Sequence, residues 1–156
     1  MRLKLVSAFT GCLLAFGCAN SNTIEIAPVD TPEGKSAGIG AQDLAPGECG
    51  LFLWTVAEPR ELTFFSKAGT QSALADFGGD TQSLTLTDAS GELFGQFMTS
   101  MNFDITGGGG SMTLSIEAGE LIDQGQRTKA ARLLFVDADG WETIVPVAGV
   151  RACQSE

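Results

Sequence analysis

A chain of 156 residues, 44% of them hydrophobic, has enough apolar surface for one sizeable core, which excludes disorder of the chain as a whole. Its 19 acidic residues outnumber nine basic ones, and the net charge of −10 speaks against holding nucleic acid or anionic lipid through bulk electrostatics. Histidine and tyrosine are both absent, so much of the usual repertoire of general bases and metal ligands is missing.

Arg2 and Lys4 form a short positive region, and Leu5 to Phe16 is apolar apart from Ser7, Thr10 and Gly11. About a dozen residues is too short to cross a hydrocarbon core of ~30 Å and matches the hydrophobic region of an export signal. The run ends in Leu14-Ala15-Phe16-Gly17-Cys18. This resembles the lipobox of bacterial lipoproteins, where small or apolar residues lead to a small residue and then a cysteine. Two places depart from its commonest form: Ala15 stands where leucine is most frequent, and Phe16 is bulky for its position. The resemblance implies a signal peptide over residues 1–17, diacylglycerol on the Cys18 sulfur, and a fatty acyl group such as palmitate on the new N-terminus. Ala19 and Asn20 follow, with no aspartate in second place, which in the lipoprotein sorting scheme implies the periplasmic face of a Gram-negative outer membrane. The alternative is ordinary cleavage after Gly17, since Ala15-Phe16-Gly17 also fits a small-x-small site, giving a soluble periplasmic or secreted protein.

Of four cysteines, Cys12 lies within the leader, leaving Cys18, Cys49 and Cys153. Nearly everything that looks foldable lies between the last two. We read Cys49 and Cys153 as a disulfide joining the first and last strands of the domain, which requires their Cα atoms to lie within ~7 Å. An ordinary secreted protein would then carry Cys18 as an odd thiol in an oxidising compartment, whereas lipidation accounts for all three. Without Arg2 and Lys4, seven basic residues face 19 acidic ones, a balance of −12.

Residues 18–47 read as the lipidated N-terminus and a flexible tether, with Pro28, Pro32 and Pro46 and scattered small residues. Within it, Thr23-Ile24-Glu25-Ile26 alternates briefly, and an added edge strand there is the alternative. Residues 48–156 read as an all-β domain. Leu51 to Val56 is apolar on both alternating faces, as in a strand covered on two sides. Glu58-Pro59-Arg60-Glu61 is a tight connection to a second strand ending at Lys67. Ser72 to Phe77 is closed by Gly78-Gly79-Asp80 and followed by Gln82 to Thr87. Glu92 to Met98 continues the pattern toward Phe103. After the Gly107–Gly110 loop tip, Met112 to Glu117 gives the cleanest period of two. Ala131 to Val136 and Glu142 to Val150 form the last pair, the final strand lying at an edge or bulged where Pro146 lacks an amide. About eight short strands suggest a single antiparallel β-sandwich or small barrel, two folds that strand spacing does not separate.

Two turns share one recipe: Asp88-Ala89-Ser90-Gly91 before Glu92, and Asp137-Ala138-Asp139-Gly140 before Trp141. Aspartate bonding the backbone ahead of it, with a glycine able to take positive φ, predicts two hairpins and hints at an internal duplication. The second turn holds Asp137, Asp139 and Glu142, but the ligand spacing of an EF-hand loop is lacking, so we read it as a turn with no metal.

Glu120 to Lys129 is longer than a hairpin needs, and with Arg132 it gathers Arg127, Lys129 and Arg132 within six positions, the candidate binding residues. Trp54 and Trp141 read as packing residues. Serine-hydrolase chemistry lacks a base, and no carboxylate pair is selected by spacing. The expectation is therefore a non-catalytic cell-envelope lipoprotein, without metal or cofactor and not a nucleic-acid binder. Its partners would be the membrane, through its lipid, and an envelope protein, peptide or glycan. The alternative is an inhibitor of a lysozyme or protease built on a small β-barrel.

Overall fold

Eight strands form one antiparallel sheet in a computed structural model that describes residues 38–156. The expected signal peptide, the lipidation site Cys18, the Thr23–Ile26 stretch and the tether up to residue 37 lie outside the described residues. The strands are β1 (Cys49–Thr55), β2 (Leu62–Lys67), β3 (Ser72–Phe77), β4 (Asp80–Phe94), β5 (Phe97–Ile105), β6 (Gly110–Ile122), β7 (Gly125–Asp137) and β8 (Glu142–Cys153). Each pairs with the next, and β8 returns to β1, so the sheet closes as an up-and-down barrel. Closure decides between the two expected architectures.

The sheet closes where the sequence places its two cysteines. Cys49 and Cys153 are direct cross-strand partners, disulfide-bonded with Cα atoms 3.9 Å apart. Below them the β1–β8 ladder runs to Thr55↔Val147. Beyond that point the Pro146 carbonyl accepts the Val56 amide at 3.2 Å. The proline therefore stands where β1 has ended, at a local edge that asks no donor of its nitrogen.

Alternation fills the interior. Leu51, Leu53, Phe64, Leu84, Phe103, Met112, Leu114, Leu133, Phe135 and Val147 all point inward and are buried. Eight strands enclose a space just wide enough for side chains of this kind. Each such side chain contributes about 1.5–3 kcal/mol by leaving water. Phe64 meets Phe103 edge-on at 5.7 Å, and Phe77 stacks on Phe135 at 4.3 Å, tying opposite walls together.

One mouth of the barrel is closed by its own hairpin. The Asp88–Gly91 stretch is no turn. It lies within β4, where register shifts follow Leu86 and Ser90, Gly91 has φ +90°, and the Glu92 amide donates to the Thr99 hydroxyl at 2.9 Å. An Asp-x-x-Gly pattern serves a bulge as well as it serves a turn, because both use one glycine at positive φ. These bulges bend the β4–β5 hairpin, whose turn is Gly95-Gln96, across the mouth. Phe94 and Phe97 enter the core, and a methyl placed on Gly95 would stand 2.6 Å from Nε of Arg151, on the far side of the ring. Arg151 points into this mouth from β8, its Nη1 donating to Cys153 Sγ at 3.2 Å.

The expected loop over Glu120–Lys129 is also strand. β6 runs to Ile122 and β7 starts at Gly125, joined by Asp123-Gln124. Bulges at Glu117–Leu121 and Arg127–Ala131 break the alternation, which is why the sequence reads as a loop there. The Asp137–Gly140 turn forms as expected: Asp137 Oδ1 accepts the amides of Asp139 and Trp141, each at 2.9 Å. The two Asp-x-x-Gly segments thus have different roles, and the hint of duplication falls away.

Residues 38–48 are not free tether. The Ile39 amide donates to the Leu62 carbonyl at 2.9 Å, and Leu44 packs over Gly50. Glu48 takes a 2.7 Å ion pair from Lys67 and the Ala45 amide at 2.8 Å. The segment climbs the outer face of β1 and β2, beside Phe52, Trp54 and Phe65. That explains why β1 is apolar on both faces.

Candidate functional site

With the interior filled by side chains, recognition falls to the outer wall. The wall over β7, β8 and β1 has one irregularity. The bulge between Arg127 and Ala131 parts β7 from β8, and the Thr128 hydroxyl fills the gap, accepting the Gly149 amide at 2.8 Å and reaching the Gly149 carbonyl at 3.4 Å. Residue 149 must lack a side chain, because a Cβ there would come within 1.9 Å of the Phe52 carbonyl oxygen.

Over this seam lies a groove of about 540 Å³. Its floor is Trp54, Val56, Ala148 and Val150, the outward-facing residues of β1 and β8 together with the first residue past β1. Arg60 reaches it from the β1–β2 connection and Arg127 from β7. No carboxylate lines it, although acidic residues outnumber basic ones two to one in the chain. Trp54 is half-buried, stacked on Phe52 with ring centres 6.2 Å apart, and the two rings border a recess formed with Gly40, Gln42 and Leu62.

The two arginines are only loosely occupied. Arg60 Nε lies 3.4 Å from Glu58 and Arg127 Nε lies 3.2 Å from Glu120, all four side chains being mostly exposed. Exposed pairs of this kind are worth about 0–1 kcal/mol, so neither guanidinium is withheld from a ligand.

The structure separates Arg127 from the other two basic residues singled out in the sequence. Arg127 joins the groove. Lys129 is held by Glu117, whose hydrogen bond and charge raise the lysine pKa above its ordinary value. Arg132 lines a neighbouring recess of about 300 Å³ with Ser115, Glu117 and Ala130. Sequence reasoning missed Arg60, Val56, Ala148 and Val150, and it favoured packing over ligand stacking for Trp54. The available signal was the doubly apolar β1, whose outward residues need a cover. Trp141 is not part of the core: it sits at the tip of the β7–β8 turn, 76% exposed.

Among the described residues no three acidic, cysteine or histidine side chains converge on one point that would hold a metal ion. At the Asp137 turn one carboxylate oxygen is already spent on two backbone amides. No known protein family, curated protein or solved structure matches the chain.

Proposed function

We propose that this chain is a non-catalytic binding module of the bacterial cell envelope. In this reading it is held by lipid on Cys18 at the periplasmic face of the outer membrane and carries a protein, peptide or glycan partner on its barrel wall. The observation that carries the binding part is the groove over the β7–β8 seam: apolar floor, two arginines, no acid. The lipobox-like Leu14–Cys18 and the three-cysteine arithmetic carry the anchoring part. A chain with no histidine, a filled barrel and a shallow outer groove supports recognition better than turnover.

The test is photo-crosslinking of the lipidated protein in its own envelope, with the reactive residue placed in turn at Ala148, Leu121 and Thr87. A defined partner from at least one position is expected; none from any position, over repeated trials, would overturn the binding reading. Anchoring is tested separately. Cys18→Ser is expected to abolish acyl labelling and membrane fractionation, and retention of both would overturn it.

One observation favours the inhibitor reading as the second choice. Leu121 stands 76% exposed near the tip of the β6–β7 hairpin, the kind of projecting apolar residue that enters an enzyme cleft. Purified protein that slows lysozyme or a secreted protease, with Leu121→Asp abolishing the effect, would move this reading to first place.

A further inference from the structure

We propose that the groove over the β7–β8 seam takes an extended acidic peptide segment of a partner protein, an apolar side chain resting on Trp54 between carboxylates held by Arg60 and Arg127. This rests on the binding-module reading and names the partner's chemistry.

Charge placement is the first argument. Among the described residues the other basic side chains stand elsewhere: Lys67 pairs with Glu48, Lys129 pairs with Glu117, Arg151 lies beneath the β4–β5 hairpin, and Arg132 lines a recess that includes Glu117. Arg60 and Arg127 alone frame a recess free of carboxylates. On a chain of net charge −10 an acidic segment is repelled over most of the surface, whereas here its carboxylates replace Glu58 and Glu120, the loosely held, exposed partners of the two arginines. Arginine suits the task, since its planar fork binds a carboxylate through two parallel N–H donors.

Shape is the second argument. Sites for small molecules are concave and cover most of the ligand. This one is an open trough along outward-facing strand residues, and its apolar floor continues past the end of β1. The Val56 amide bonds the Pro146 carbonyl, which sets Val56 beside β8, and Ile144 follows two residues along the same outward side, 60% exposed. An extended chain laid along this line presents alternate side chains to it. A partly exposed tryptophan flanked by arginines is also the composition that concentrates binding energy in protein interfaces.

The test uses tryptophan emission. The chain has two tryptophans, so the full chain carrying Trp141→Phe, in detergent micelles, leaves Trp54 as the only reporter. It is titrated with a synthetic peptide repeating Glu-Ser-Leu-Ser, which puts glutamates and leucines on one face of an extended chain, with the same peptide carrying lysine for glutamate, and with an acidic polysaccharide. We expect a saturable Trp54 response to the glutamate peptide alone, weakened about tenfold by Arg60→Gln or Arg127→Gln and unchanged by Arg132→Gln. Both groove arginines are mostly exposed, and unchanged melting temperatures will show that the variants fold. No response, an equal response to the lysine peptide, indifference to both arginine variants, or a response to the polysaccharide alone would each overturn the proposal. A partner crosslinked at Leu121 or Thr87 together with silent peptides would sink this inference and leave the binding-module reading standing; no crosslink anywhere would sink both.

Discussion

The hydroxyl of Thr128 stands in for a missing rung of the β7–β8 ladder, accepting the Gly149 amide at 2.8 Å where the bulge has carried β7 out of register. Thr128→Val keeps the shape and removes the acceptor, leaving a half-buried N–H unpaired. A loss of roughly 1–2 kcal/mol is expected in urea denaturation. Thr128→Ser, which keeps the hydroxyl, should lose less than half of that.

Phe94 is the plug of the covered mouth, with no exposed surface, while its neighbour Leu93 is 76% exposed. Phe94→Ala should cost about 3–5 kcal/mol, and Leu93→Ala no more than about 0.5 kcal/mol. Comparable losses from the two substitutions, measured by thermal melting, would mean that the hairpin does not close the barrel in solution.

The disulfide spans 104 residues of sequence, and closing a loop of that size is worth up to about 4.7 kcal/mol in the chain-entropy account. Total stability in a domain of this kind is about 5–15 kcal/mol, so the bond is a large share. Reduction, or the pair Cys49→Ser with Cys153→Ser, should lower the melting temperature by roughly 10 °C or more. The two treatments should agree with each other.

The N-terminal strap has an acid limit. The hydrogen bond from Lys67, then that from the Ala45 amide, holds the Glu48 carboxyl below its ordinary value of 4.5. A carboxyl whose pKa is depressed by folding contributes to stability above its unfolded value, and the contribution is lost as pH falls through the folded one. The Ala45 amide resonance should therefore titrate with a midpoint below 4.5, and Lys67→Met should move that midpoint upward. A midpoint already at 4.5 in the parent would show that the contact is not populated.

Strands were legible in the sequence wherever one face is buried and the ladder is regular. Met112–Ile116 alternates cleanly, Leu133–Phe135 and Leu51–Leu53 are short apolar runs bounded by turn signals, and each proved to be barrel wall. The closing bond was legible too, because Cys49 and Cys153 bracket the pattern. Bulges defeated the reading. At Asp88–Gly91 and Lys129–Ala130 the period of two slips, and local composition then resembles a turn or loop. The groove was hidden for a different reason. Trp54, Arg60, Arg127 and Val150 come from three parts of the chain, and only barrel closure between β8 and β1 brings them together. Sequence proximity suggested Arg127, Lys129 and Arg132 as one cluster, whereas the bulge at Arg127–Ala131 sends Arg127 to the groove and leaves Lys129 and Arg132 near Glu117.

The bond between Cys49 and Cys153 makes everything from the first strand to the last a covalent circle. A protease that cuts once in any of the seven connections, Asp123-Gln124 for instance, severs the backbone without releasing a fragment. The nicked protein should run as one species on a non-reducing gel and as two after reduction, its strands still in register around the ring. In a protease-rich compartment, surviving the first cut is a form of durability separate from resisting unfolding.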